Sequence, residues 1–280
     1  MTGMAGTAVQ MHLDHELEIA RSLAIEAGAV LRSRQTGPIE IRHKERGEIV
    51  TPADLASNEV ICRGLAAAFP GDTIYSEENQ PAATVSGNAR VWIVDPLDST
   101  SNYVQRGDEY SLSIGLAING EAVLGVVYNP SRDELFSGYQ GHGAFCNDVP
   151  VVCTSSGPGE HQPKLLVSSK EWKRGISALM GSMFVQPMAS IAYKLARVAA
   201  GKEDAVFSLK TRKPWCTCAG TALVLAAGSQ VTSLDAEPLV FDCRGPHTFN
   251  GIVAANRNLH SSTLVLAQGL RSGLPQLPTE

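Results

Sequence analysis

A chain of 280 residues can form one large domain or two modest ones, and either buries a real core. Apolar residues at 44% and charged residues at 18% exclude a disordered chain, and a net charge of -5 gives no general reason to bind nucleic acid polymers or anionic membranes. A small phosphorylated metabolite stays compatible with that charge, because a bound divalent cation reverses the local field.

The first residues lack a basic stretch followed by an apolar run, and no segment approaches the roughly 20 apolar residues that span a bilayer. Six cysteines are too sparse for a disulfide scaffold. The expectation is a cytoplasmic protein.

The spacing of Leu13, Leu17, Ala20, Leu23, Ala24, Ala27 and Leu31 predicts a helix over 12–34, with acids in its first turns. Gly37-Pro38 ends it, Ile39-Glu40-Ile41 alternates like a short strand, and the charged stretch 43–48 reads as an exposed loop, His43 and Lys44 included. Thr51 suits the N-cap of a second helix, Pro52 its first position and Asp54 the reciprocal capping position; this helix stops at Pro70-Gly71. Thr73-Ile74-Tyr75 is a short strand running into Ser76-Glu77-Glu78, and 79–89 is a loop. Val91-Trp92-Ile93-Val94 reads as a buried strand that stops at Asp95-Pro96-Leu97-Asp98-Ser99-Thr100. A meander follows over 110–140, with turns at Asn119-Gly120 and Asn129-Pro130.

The segment 154–163, TSSGPGEHQP, reads as a linker. Beyond it, 165–168, 205–207 and 251–255 read as strands and 189–200 and 217–227 as helices, before a C-terminal helix. The expected organisation is an α+β domain over 1–155 and an α/β domain over 156–280.

Two predicted strands end in acids, at Glu77-Glu78 and at Asp95-Pro-Leu-Asp98. Carboxylates just beyond buried strands are costly unless a cation or a helix N-terminus compensates them. The fixed φ of Pro96 can hold Asp95, Asp98 and the Leu97 carbonyl toward one point, an all-oxygen set suited to magnesium. The amides of Ser99, Thr100 and Ser101 could cradle a phosphate beside it. The competing reading is that Asp98, Ser99 and Thr100 only cap a helix.

Glu77-Glu78 followed by Trp92-Ile-Val-Asp95-Pro-Leu-Asp98-Ser-Thr100 resembles the signature of the inositol monophosphatase-like superfamily of lithium-sensitive phosphatases. The resemblance continues through Gly125-Val-Val-Tyr-Asn-Pro130, Gly143-Ala-Phe-Cys-Asn147, Tyr193 to Gly201, and Trp215…Ala219-Gly220. It implies a layered α/β/α/β/α sandwich of the sugar phosphatase type and a Mg2+-dependent phosphomonoesterase that uses metal-activated water. By the same resemblance Glu77, Asp95 and the Leu97 carbonyl bind a first ion, and Asp95 and Asp98 contribute to a second. Asp54 and Thr100 orient the water, forming the catalytic set with Glu77. A homodimer is common among such proteins.

Where the superfamily places an aspartate after the tryptophan, this chain has Cys216. A thiol is a soft, ordinarily neutral donor, poorly matched to magnesium. Activity is then reduced or lost, or another acid such as Asp204 reaches in, or the second site takes a softer ion such as Mn2+ or zinc. A zinc site from Cys216, Cys218 and Cys243 lacks the usual spacing.

Substrate choice reads less clearly. Counting back seven residues from Cys216 places Leu209 where inositol monophosphatases carry a hydroxyl-binding glutamate, which disfavours inositol phosphate. The basic stretch Phe207-Ser-Leu-Lys210-Thr-Arg212-Lys213 meets a second phosphate or is a solvated loop. Lys194, in an apolar helix, contacts phosphate or snorkels to the surface. Ser190-Ile-Ala-Tyr-Lys194 resembles the 3'(2'),5'-bisphosphate nucleotidase (CysQ-like) branch, whereas Ser101-Asn102-Tyr103 is more like the inositol monophosphatase branch. The expected substrate is a 3'-phosphoadenosine 5'-phosphate type of nucleotide, with Ser99, Thr100, Lys194 and Lys210 as contacts. The alternatives are an inositol, sugar or specialised-metabolite monophosphate, or a weakened homologue that only senses a phosphometabolite.

Overall fold

The computed structural model describes residues 12–44, 48–79, 90–242 and 248–273. Cys243 and nearly all of the 79–89 loop lie outside them.

Helix α1 (Asp14–Gln35) buries Leu17, Ala20, Ala24, Ala27, Gly28 and Leu31, one stripe at helical spacing. A two-stranded ribbon, β1 (Arg42–His43) and β2 (Ile49–Val50), leads into α2 (Pro52–Ala68). The expected strand at 39–41 is instead displaced to 42–43, where a partner for its ladder exists at 49–50. Then follow β3 (Thr73–Ser76), β4 (Arg90–Asp98), α3 (Thr100–Val104), β5 (Ser111–Ile118), β6 (Glu121–Asn129), β7 (Glu134–Tyr139), β8 (Gly143–Cys146) and β9 (Val149–Val151). These strands form one seven-stranded sheet in sequence order, parallel at β3–β4 and antiparallel thereafter. Asn119 and Gly120, both at positive φ, make the β5–β6 hairpin turn.

The second sheet holds β10 (Leu165–Ser168), β11 (Val185–Met188), β12 (Ala205–Ser208), β13 (Gln230–Thr232) and β14 (Ile252–Ala255), in the order β11-β10-β12-β14-β13. Short helical turns, α4 (Ser169–Glu171) and α5 (Ser177–Leu179), flank the wider coil of 172–176 between β10 and β11. Helices α6 (Ile191–Ala199) and α7 (Cys218–Ala226) precede the last strands, and α8 (His260–Gly273) closes the described chain. The sheet is mixed, because β14 runs antiparallel to both neighbours. β11 and β13 escape the sequence reading: Val185-Gln-Pro-Met carries a proline and Gln230-Val-Thr is too short to show a period.

Strand alternation assigns the layers. In β4, Trp92 and Val94 pack with Leu17, Leu31, Ile61 and Leu65 of α1 and α2, while Val91 and Ile93 join Leu195, Ala219 and Leu223 of α6 and α7. In β12, Val206 shares that central layer, whereas Ala205 and Phe207 face Leu259, Ala267 and Leu270 on the outer side. The order is therefore helices, sheet, helices, sheet, helix. The centre is tight: a Cβ on Gly125 would stand 2.1 Å from the Ala219 carbonyl oxygen, so only glycine lets α7 rest on the sheet. Among the described residues no helix is long and apolar enough to cross a membrane.

Candidate active site

Asp54 owes its position to the start of α2. Thr51 caps the helix, its hydroxyl accepting from Ala53 N at 3.1 Å, and Pro52 follows where an N–H is dispensable. Both the amide and the hydroxyl of Thr51 donate to Asp54 Oδ2, at 2.8 and 2.6 Å. The other oxygen, Oδ1, accepts from Thr100 Oγ at 3.0 Å. One buried carboxylate thus serves the helix end and the motif.

Strand β4 does not stop at Asp95. Asp95 pairs with Ser113 and Asp98 with Ser111, so three steps on β4 oppose two on β5. The irregularity falls at Pro96, which has no N–H to give to the ladder. The freed carbonyls are used: Ser57 Oγ donates to Pro96 O at 2.8 Å, and Thr100 Oγ lies 3.2 Å from Leu97 O. Leu97 N returns to Asp95 Oδ1 at 3.2 Å. Ser99, at φ 79°, makes the left-handed turn into α3, whose first amides lie ahead of its own hydrogen bonds.

Asp98 is gripped by the start of α6. Its Oδ2 accepts from Ser190 Oγ at 2.5 Å and from Ala192 N at 2.8 Å. Ser190 also meets Ser111 Oγ at 2.9 Å, and Ser113 Oγ donates to Trp215 O at 2.9 Å. Two serines of β5 therefore fasten both second-half elements to the motif. Alternating small residues signal the strand but not this role.

The acids oppose one another's ionisation. Burial, then Glu77 and Asp98, hold the Asp95 carboxyl well above the usual range. Burial raises Asp98 and Asp54 as well, and pushes Glu77 up to about 7 despite Lys44. Lys44 Nζ bonds Glu77 Oε1 at 2.9 Å and Glu78 Oε1 at 2.6 Å. The exposed-loop reading of Lys44 is therefore overturned: two carboxylates attract it more strongly than solvent holds it. A run of charges gave no sign of which cation turns inward.

Cys216 is buried, its thiol donating to Lys213 O at 3.2 Å. Burial, with Asp98 and Asp95 nearby, drives its pKa well up, so it faces the two aspartates as a neutral thiol. Asp204 does not replace the missing acid: it lies at the far end of β12 from Ser208, holding Lys164 N at 2.8 Å and His161 Nε2 at 3.0 Å. Leu209 is buried and packs in the outer-face core with Phe207. Lys194 has no exposed surface, which overturns snorkelling; it donates to Met188 O at 2.8 Å and Ala189 O at 3.0 Å. Two of its three donors are thus spent on main chain, and burial lowers its pKa to about 7. Lys210 is half-buried, with its amide on Glu171 Oε1 at 2.9 Å.

Buried carboxylates that raise one another's pKa are the electrostatic setting a divalent cation relieves. Glu77, Asp95 and the Leu97 carbonyl offer hard oxygens from neighbouring strand ends and fit such an ion. Among the described residues no three His, Cys, Asp or Glu side chains form one metal-holding group. A set of two carboxylates and a carbonyl does not require one. A second hard ion fits poorly, because a protonated thiol stands beside Asp95 and Asp98.

Five alternating layers, with acids collected where β3, β4 and the start of α6 meet, define a layered sugar-phosphatase type of fold. The family description "Inositol monophosphatase family" matches residues 12–270, and the chain belongs to this family of phosphomonoester hydrolases. It is 33% identical over 230 residues to inositol monophosphatase 3 of Solanum lycopersicum, covering 77% of this chain and 84% of that one. It is 29% identical over 255 residues to inositol-1-monophosphatase of Bacillus subtilis, covering 88% and 93%. The solved structure of inositol monophosphatase from Anabaena superposes with a TM-score of 0.76 at 30% identity, covering 95% of this chain and 99% of that one.

Proposed function

We propose that the protein is a divalent-metal-dependent phosphomonoesterase acting on an inositol phosphate or a similar polyol monophosphate. The observation that carries the chemistry is the Asp54–Thr100 hydrogen bond of 3.0 Å beside the oxygen set of Glu77, Asp95 and Leu97. As donor of the hydrogen bond to Asp54, Thr100 Oγ keeps lone pairs that accept a hydrogen bond from a water and aim that water's oxygen toward phosphorus. As that water attacks, its proton would pass to Thr100 Oγ while the Thr100 proton passes to the Asp54 carboxylate. A divalent ion bound by Glu77, Asp95 and Leu97 O would acidify water and neutralise phosphoryl charge. The first amides of α3, at 99–101, supply donors for phosphoryl oxygens, and Asp98 anchors α6 against the site. Lys194 acts on the site through Asp98 rather than by direct contact.

The substrate part follows the relatives named inositol monophosphatases. Phosphate release with Mg2+ and with Mn2+ from inositol monophosphates, other polyol phosphates and 3'-phosphoadenosine 5'-phosphate tests it. The highest kcat/KM is expected on a polyol monophosphate; a higher value on the nucleotide would return the reading to a bisphosphate nucleotidase. Binding without turnover under either ion would favour a phosphometabolite sensor. Asp54→Asn and Thr100→Val are each expected to lower kcat by about 10²- to 10⁴-fold at nearly unchanged melting temperature.

A further inference from the structure

One polar face of α2 reaches three segments that carry site oxygens. Asp54, Ser57 and Asn58 stand at i, i+3 and i+4, the spacing that sets side chains beside one another on a helix. Asp54 Oδ1 accepts from Thr100 Oγ at 3.0 Å, Ser57 Oγ donates to Pro96 O at 2.8 Å, and Asn58 Oδ1 accepts from Ser76 Oγ at 2.5 Å. These partners lie at the start of α3, in the bulge of β4 and at the end of β3, directly before Glu77.

Ser57 is the residue whose bond the helix itself does not explain. It has no exposed surface, and a serine inside a helix ordinarily turns to solvent or to a carbonyl of its own preceding turn. Its hydroxyl instead crosses to a carbonyl 39 residues along the chain. That carbonyl shares a planar trans peptide with the Leu97 amide, so the two groups point in opposite directions. On the far side the Leu97 amide donates to Asp95 Oδ1 at 3.2 Å. The plane is therefore held at both ends, and turning it would break the Ser57 bond, the Asp95 bond or both. We propose that Ser57 is a positioning residue of the ion site: through the rigid Pro96–Leu97 peptide it orients the Asp95 carboxylate from α2. The inference rests on the reading above that Asp95, with Glu77 and the Leu97 carbonyl, holds a divalent ion.

The test is the Mn2+ affinity of the full chain, titrated by electron paramagnetic resonance at a temperature where circular dichroism shows each variant folded. Ser57→Ala should weaken Mn2+ binding by about tenfold to a hundredfold, the range found when a group that orients a metal ligand from behind is removed. Ser57→Thr keeps the hydroxyl and should lie clearly closer to the wild type. Thr263→Val removes another buried hydroxyl that donates to a carbonyl, that of Leu259 in the region of α8, and should leave the affinity unchanged. Wild-type affinity in folded Ser57→Ala overturns the proposal, as does an equal loss in Thr263→Val, which would make the effect one of general stability. If Ser57→Ala does not fold, Ser57→Cys decides, since it fills the same space with a weaker donor, and wild-type affinity there overturns the proposal. A wild-type chain that binds no Mn2+ overturns the ion reading and the proposal with it.

Discussion

Burial, Glu77 and Asp98 all act against a charge on Asp95, and the same forces raise Glu77 to about 7. The folded state therefore binds these protons more tightly than the unfolded chain. Their contribution to stability is fully present below the ordinary carboxylate range and is lost as pH rises through about 7, the Glu77 value. Added Mn2+ should accordingly raise the melting temperature at pH 8 and much less at pH 5.5, where protons occupy the carboxylates. Equal shifts at both pH values would show that these acids do not hold the ion. Lys44 competes for the same oxygens, so Lys44→Met should tighten Mn2+ binding, measured by the same titration; weaker binding would make the lysine part of the ion site instead. At this scale spacing made Asp54 legible as a capping residue and Asp95 and Asp98 as a close pair of acids, whereas the pairing of Asp54 with Thr100 was expected only from the motif resemblance. The sequence reading placed Lys44 in an exposed loop, because one cation among several looks alike until the fold turns it inward.

Elements deliver these residues through a few tight contacts. Thr51 holds Asp54 twice and caps α2, so Thr51→Ala should cost about 1 kcal/mol in urea unfolding and also lower kcat. Loss of stability without loss of kcat would separate the cap from the site. Gly125→Ala should destabilise by about 1–3 kcal/mol, since its Cβ meets the Ala219 main chain and pushes α7 off the sheet. Because α7 begins directly after Cys216-Thr217, that variant should also disturb the cleft. The capping box, the NG hairpin and the alternation of β10 and β12 follow from local chemistry and were readable. β4 was read too short because its proline resembles a stop, whereas the bulge lets the pairing resume at Asp98. The pairing of β11 and β13 depends on neighbours distant in sequence, which no local period reveals.

For the whole molecule, two sheets clasp a central helical layer, and the site forms where strand ends of the first meet α6 and the Trp215 turn. The five-layer order came from the motif resemblance, not from periodicity, since a pattern of helices and strands does not say which faces meet. The substrate reading moved from a nucleotide to a polyol monophosphate because the relatives are inositol monophosphatases, a distinction that the mixed local motifs of the sequence did not resolve. The most direct test of the central claim is phosphate release from a polyol monophosphate by wild-type protein and by Asp95→Asn, each with chelator, Mg2+ and Mn2+. Release that requires the ion and falls at least about a thousandfold in Asp95→Asn is the expected result. Release that survives the chelator, or an Asp95→Asn variant as active as the wild type, would contradict a metal-dependent phosphatase built around Asp95.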